Sequence, residues 1–179
     1  YSFSEVGRLR RDPYAIYARR ILGLMPLDPV IRDPSAAERG TLFHAILHLF
    51  SRRVEDPREA GALSGLIEAG RDCFAEAALP PDIEAVWWPR FEKLAANIIE
   101  WEYGRADAVA RRHAEERAEK TVVGRTGVTL SGYADRVDLL FGGMADILDY
   151  KTGSSPSKAQ AHTLLAPQLA LEGALLRRG

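Results

Sequence analysis

Between residues 119 and 151 the apolar period of the chain shortens from three or four residues to two, and this shift constrains the fold more than any other feature. The segments KTVVG, GVTLSGYADRVDLLF and MADILDYK are rich in β-branched residues and are parted by glycines. They predict a three-stranded antiparallel meander. Charges stand inside this otherwise apolar block: Asp135, Asp138, Asp146, Asp149 and Lys151. Burying a charge is costly unless it is paired or bound to a metal, so these positions demand partners.

Side chains two apart share a strand face, so Asp149 and Lys151 point the same way, with Ile147, while Asp146 and Tyr150 point the other way. Whether Asp135 meets Asp149 depends on the FGGM turn. A two-residue Gly142-Gly143 turn sets Asp135 against Tyr150. A three-residue loop over 141–143 pairs Leu140 with Met144 and sets Asp135 across from Asp149, and a bulge between Asp135 and Leu140 would do the same. Two facing carboxylates repel, and a divalent cation relieves that repulsion. The bland alternative is a solvated hairpin whose exposed face carries an Asp–Lys pair.

The remainder reads as helix. Ser2 with Glu5 forms a capping-box pattern, and Asp12-Pro13 opens a second helix carrying Tyr14, Tyr17, Ile21 and Leu24. A proline-broken connector, PLDPVIRDP, precedes a strong helix over about 35–54 with apolar residues on two sides. Residues 58–79 and 82–118 read as two more helices parted by Pro80-Pro81. The second carries Trp87, Trp88, Phe91, Leu94, Ile98 and Trp101, expected to be core. Residues 157–178 return to helix. Helices, then strands, then a helix predict an α+β domain.

Composition bounds function. The net charge is −1, against the basic balance of a free-standing nucleic-acid binder, yet the arginines cluster at 8/10/11, 19/20, 52/53, 111/112 and 177/178. Such runs are solvated helix faces or the lining of a phosphate-tracking groove. No apolar stretch reaches the length of a membrane span. The one cysteine, Cys73, excludes an internal disulfide and a four-cysteine metal site, and fits a reducing, cytoplasmic setting.

Four motifs occur in order: GTLFH (Gly40 to His44), GYADRVD (Gly132 to Asp138), DYK (Asp149 to Lys151) and Gln168. Together they resemble the RecB-like branch of the PD-(D/E)xK nuclease superfamily. The flanks SFSEVGRLRRDPYAIYARRILGL and ERGTLFHAILHLF are similar to the C-terminal nuclease domain of the AddB family of helicase–nuclease subunits. The resemblance implies a restriction-endonuclease-like core, with a small mixed sheet, helices packed on it and a helical N-terminal portion. It implies one nuclease domain over 1–179, helical to 118 and catalytic from 119, excised from a longer polypeptide. It implies a DNA exonuclease dependent on Mg²⁺ or Mn²⁺ that acts on single-stranded ends in double-strand-break repair, partnered by an AddA-like subunit in the cytoplasm. His44, Asp135, Asp149 and the carbonyl of Tyr150 would hold the metal, Lys151 would be catalytic, and Gln168 would position substrate or the active-site strand. An inactive nuclease-fold module for assembly or DNA-end binding is the competing expectation.

Two departures stand out. Asp12 occupies the place where related domains carry the first cysteine of an iron–sulfur cluster, so no cluster is expected within this chain. Glu172 stands where the family usually has a tyrosine four residues after the Gln, and a carboxylate there would repel phosphate. His48, His113 and His162 are expected to be structural or surface residues.

Overall fold

The computed structural model describes residues 1–27 and 33–177, so half of the proline-broken connector lies outside the described residues. The chain opens with two short helices, α1 (Phe3–Arg11) and α2 (Pro13–Arg20). Ser2 and Glu5 close the capping box reciprocally, and the Asp12 side chain accepts from the Ala15 N–H beside Pro13. The two helices form an antiparallel hairpin, because Arg20 near the end of α2 bonds Glu5 at the start of α1 (2.7 Å) and lies over the Tyr1 ring.

Three longer helices form the main apolar core: α3 (Ala36–Arg53), α4 (Ala62–Ala77) and α5 (Pro81–Arg105). Leu42, Phe43, Ile46 and Phe50 of α3 pack with Leu66, Ala69 and Phe74 of α4 and with Trp87, Phe91 and Ala95 of α5. Gly70 is required here. A Cβ at that position would stand 2.3 Å from the Phe91 ring. The aromatic stripe of α5 is core only in part. Trp87 and Phe91 are buried, Trp88 is half-buried, and Trp101 is 49% exposed beneath the Arg105 guanidinium.

Three strands follow: β1 (Val109–Val122), β2 (Thr129–Leu140) and β3 (Ala145–Leu148). They form an antiparallel sheet in the order β1-β2-β3, the meander expected from the sequence. The mixed character of the sheet is confined, among the described residues, to a parallel bridge between Ser2 and Ser131. The long helix expected over 82–118 stops at Arg105, and residues 109–118 are strand. VARRHAEERA carries strong helix formers, but it pairs along β2 from Leu140 to Gly132, and that ladder overrides local propensity.

The final helical segment is broken. α6 (Lys158–His162) and α7 (Gln168–Leu176) are separated at 163–167, where Leu164 adopts a left-handed φ of 57° and Pro167 caps the second helix. α7 packs across the sheet and against α1. Between α7 and the sheet lies a cavity of about 390 Å³, lined by apolar residues including Val137, Ile147 and Leu175 together with the carboxylate of Glu172.

Candidate functional site

The β2–β3 loop decides where the carboxylates fall. Arg136 pairs with Leu148, Val137 with Ile147 and Leu139 with Ala145. The Leu140 N–H donates to the Met144 carbonyl (2.8 Å), and Gly142 and Gly143 take φ of 106° and 81°. This is the three-residue loop, made possible by glycines in conformations that disfavour a side chain. Continued by one residue past the end of β3, the register sets Asp135 opposite Asp149.

Each of the two carboxylates is tied down by different partners. Asp135 Oδ2 accepts from the Tyr150 backbone N–H (2.7 Å), and its Oδ1 lies 3.3 Å from Nδ1 of His44. The other imidazole nitrogen, Nε2, faces the Tyr150 carbonyl at 2.8 Å. Asp149 Oδ1 accepts from the Lys151 ammonium (2.6 Å) and from the Gln168 amide (2.9 Å). His44 from α3, Asp135 from β2, the Asp149–Lys151 segment and Gln168 from the start of α7 therefore lie together. His44 reaches the strand end because Gly40, one turn earlier, leaves only 3.3 Å between a would-be Cβ and Thr152.

Electrostatics follow from these contacts. The hydrogen bond to Asp135 raises the His44 pKa above its ordinary value, outweighing partial burial. Burial pushes the Asp135 carboxyl up, but His44 and the Tyr150 N–H pull harder and leave it below the usual carboxylate range. Both ring nitrogens of His44 face oxygen acceptors, an arrangement that suits the doubly protonated imidazolium.

The donor types suit a hard divalent cation: two carboxylates, a backbone carbonyl and one imidazole. Among the described residues, however, no three His, Cys, Asp or Glu side chains stand grouped around one point. Protons and an ammonium occupy the places where a cation would bind. The imidazole N–H lies against the Tyr150 carbonyl, and Lys151 lies against Asp149. Cation binding there requires His44 to give up a proton and Lys151 to swing away.

Behind the site stands an ion cluster that sequence reasoning did not foresee. Arg136, 3% exposed, pairs with Asp138 on its own strand and with Glu102 of α5. Arg105 pairs with Asp138 and with Asp146 (2.6 Å), so the charges inside the apolar strands are matched from the end of α5. Arg136 Nη1 also lies 3.5 Å from the Tyr150 hydroxyl, and the Tyr150 ring meets the His44 ring edge-on at 5.9 Å. The only sequence signal for this cluster is the set of charges in β2 and β3 that demanded partners. Glu172 differs from expectation too. It is 4% exposed, buried on the face of α7 that packs across the sheet rather than offered to a passing phosphate.

Of the other histidines, His48 lies one turn beyond His44 with Nδ1 3.7 Å from the Glu115 carboxylate. His113 lines the cavity under α7, and His162 ends α6 on the surface. Cys73 is buried in the helical core. No described helix is long and apolar enough to cross a membrane.

Over 176 residues the chain is 25% identical to an uncharacterized protein of Rickettsia bellii, covering 98% of this chain and 21% of the relative. It is 27% identical over 181 residues to an uncharacterized protein of Rickettsia conorii, covering 98% of this chain and 22% of the relative. The chain thus spans about a fifth of the length of the curated relatives it matches. No solved structure gives a significant match. The family profile described as the PD-(D/E)XK nuclease superfamily matches residues 1–179, its full length, and the chain belongs to that superfamily.

Proposed function

We propose that this chain hydrolyses DNA phosphodiester bonds with the aid of Mg²⁺ or Mn²⁺. The observation that carries the reading is the meeting of His44, Asp135 and the Asp149-Tyr150-Lys151 strand end within hydrogen-bond distance, although they come from three separate elements. Asp135, Asp149, the Tyr150 carbonyl and His44 would hold the cation, which supplies Lewis-acid polarisation of the phosphate and a more acidic water. Lys151 presents a mobile ammonium beside Asp149. Released from that carboxylate, it neutralises charge building on the phosphate oxygens or orients the attacking water. Gln168 holds Asp149 through its amide and so fixes the carboxylate direction against α7.

The finer reading follows the motifs. The chain is an AddB-type nuclease domain within a longer helicase–nuclease. There it cleaves single strands exonucleolytically during double-strand-break repair in the cytoplasm, with an AddA-like subunit as partner. Its support is the order GTLFH, GYADRVD, DYK and Gln168 together with the flanking helices.

The test uses linear DNA with Mg²⁺ or Mn²⁺, against EDTA, for the wild type, Lys151→Ala and Asp149→Ala. Metal should raise the melting temperature of the wild type and of Lys151→Ala but not of Asp149→Ala, since only a ligand bound to the native state shifts the transition. Cleavage should be lost in both variants. Cleavage by Lys151→Ala at the wild-type rate refutes the assignment.

A further inference from the structure

We infer that the α1–α2 hairpin is the track along which a single DNA strand reaches the cleavage site. The inference rests on the reading of the chain as a DNA nuclease and adds where the substrate lies. The first 25 residues hold five arginines against two acids, in a chain whose net charge is −1. Both acids are already engaged: Glu5 binds Arg20, and Asp12 caps α2. Arg8, Arg10, Arg11 and Arg19 are exposed and have no acidic partner among the described residues. A local excess of arginine with no acidic partner among the described residues suits a phosphate backbone.

The same surface offers bases a platform. Tyr14 and Tyr17 lie one turn apart on α2, 67% and 47% exposed, with ring centroids 6.2 Å apart. Exposed tyrosines beside arginines are the combination by which proteins hold single strands without reading sequence, through stacking and backbone neutralisation. Duplex DNA hides its base faces and gains nothing from these rings.

Placement ties the surface to the chemistry. Because the hairpin is antiparallel, Arg10, Arg11 and Tyr14 lie together at its tip. Arg10 Nη1 donates to the Leu164 carbonyl (2.9 Å), and Gly7 packs on Pro167, with a would-be Cβ 3.2 Å from the proline ring. The next residue is Gln168, whose amide holds Asp149. The basic tip and the cleavage site are thus the two ends of one short segment, 164–168.

The experiment is fluorescence anisotropy with a short fluorescein-labelled oligothymidylate in EDTA, across a salt series. The proteins are the wild type, Arg8→Ala/Arg19→Ala and Tyr14→Ala/Tyr17→Ala. All substituted side chains are exposed, and thermal melting checks that each variant folds. Each arginine that contacts a phosphate should lower the salt slope by about 0.7 when removed. Each stacked tyrosine should weaken binding about tenfold when removed, with the slope unchanged. A wild type that fails to bind, or variants that match its affinity and slope, overturns the track. So does unchanged DNA binding with an altered oligomeric state, which would make the hairpin a protein-docking face. The two readings fail separately. Normal metal-dependent cleavage with hairpin variants that bind normally refutes the track alone, whereas hairpin-dependent binding without cleavage refutes the nuclease.

Discussion

Replacing Glu172 with glutamine should stabilise the protein, and only above mildly acidic pH. Glu172 is 4% exposed, and among the described residues neither carboxylate oxygen has a hydrogen-bond partner. Burial is the largest influence on it, and the negative charges of Asp149 and Asp135 add to it. Gln168 pulls the other way, but its amide nitrogen is directed at Asp149. The carboxyl is pushed up from 4.5 to about 7. Below 4.5 it is protonated in the folded and unfolded chain alike and has no pH-dependent effect. Between 4.5 and about 7 the unfolded chain ionises while the folded chain keeps its proton, so stability falls across this window and levels off above it. A shift of this size corresponds to ~3 kcal/mol once pH exceeds both values. Glutamine cannot ionise, so Glu172→Gln should exceed the wild type by up to ~3 kcal/mol at pH 8 and equal it near pH 4. Urea unfolding of both proteins across this range is the assay. A constant difference at all pH values would refute the reasoning, because it would mean that Glu172 ionises in the folded state as easily as in water.

Three further outcomes follow from the contacts. Arg136→Ala strips the counter-charge from buried Asp138 and Glu102 and should destabilise the fold by ~3–5 kcal/mol in denaturant unfolding. Gly132→Ala drives a Cβ to 2.2 Å from the Phe3 ring, which must shift α1 off β2, and should lower stability by ~1–3 kcal/mol in the same measurement. Because His44 holds its proton above the ordinary histidine range, Mn²⁺ affinity should rise with pH through that titration, with proton release visible as a buffer-dependent heat in calorimetry. In His44→Gln the imidazole-linked part of that release should vanish.

Local signals read well where one physical cause acts alone. The Ser2/Glu5 cap and the Pro80-Pro81 break were legible, because each is settled by a few adjacent residues, whereas the glycine-rich turn was legible as a turn but not in its length, which stood open between two and three residues. The loop mattered most, since its length determines whether Asp135 opposes Asp149. β1 was not legible over residues 109–118. Its arginines, alanines and glutamates favour a helix, and its pairing partner lies beyond the turn at 123–128. The Glu102–Arg136–Asp138–Arg105–Asp146 cluster was half legible. The strand charges announced that partners exist, but only the packing of α5 against the sheet says which. Glu172 was legible as a departure from the family pattern and misread in consequence, because burial between α7 and the sheet is a tertiary property that one position in a motif does not carry.

His44 of α3, Asp135 within β2 and Asp149 just past the end of β3 are proposed to share one divalent cation. Anomalous diffraction from crystals grown with Mn²⁺ tests this most directly. The expected result is a manganese peak about 2.2 Å from oxygens of Asp135 and Asp149, from the Tyr150 carbonyl and from the His44 imidazole, with the Lys151 ammonium displaced from Asp149. Manganese bound elsewhere, with the Lys151–Asp149 pair intact, would contradict it.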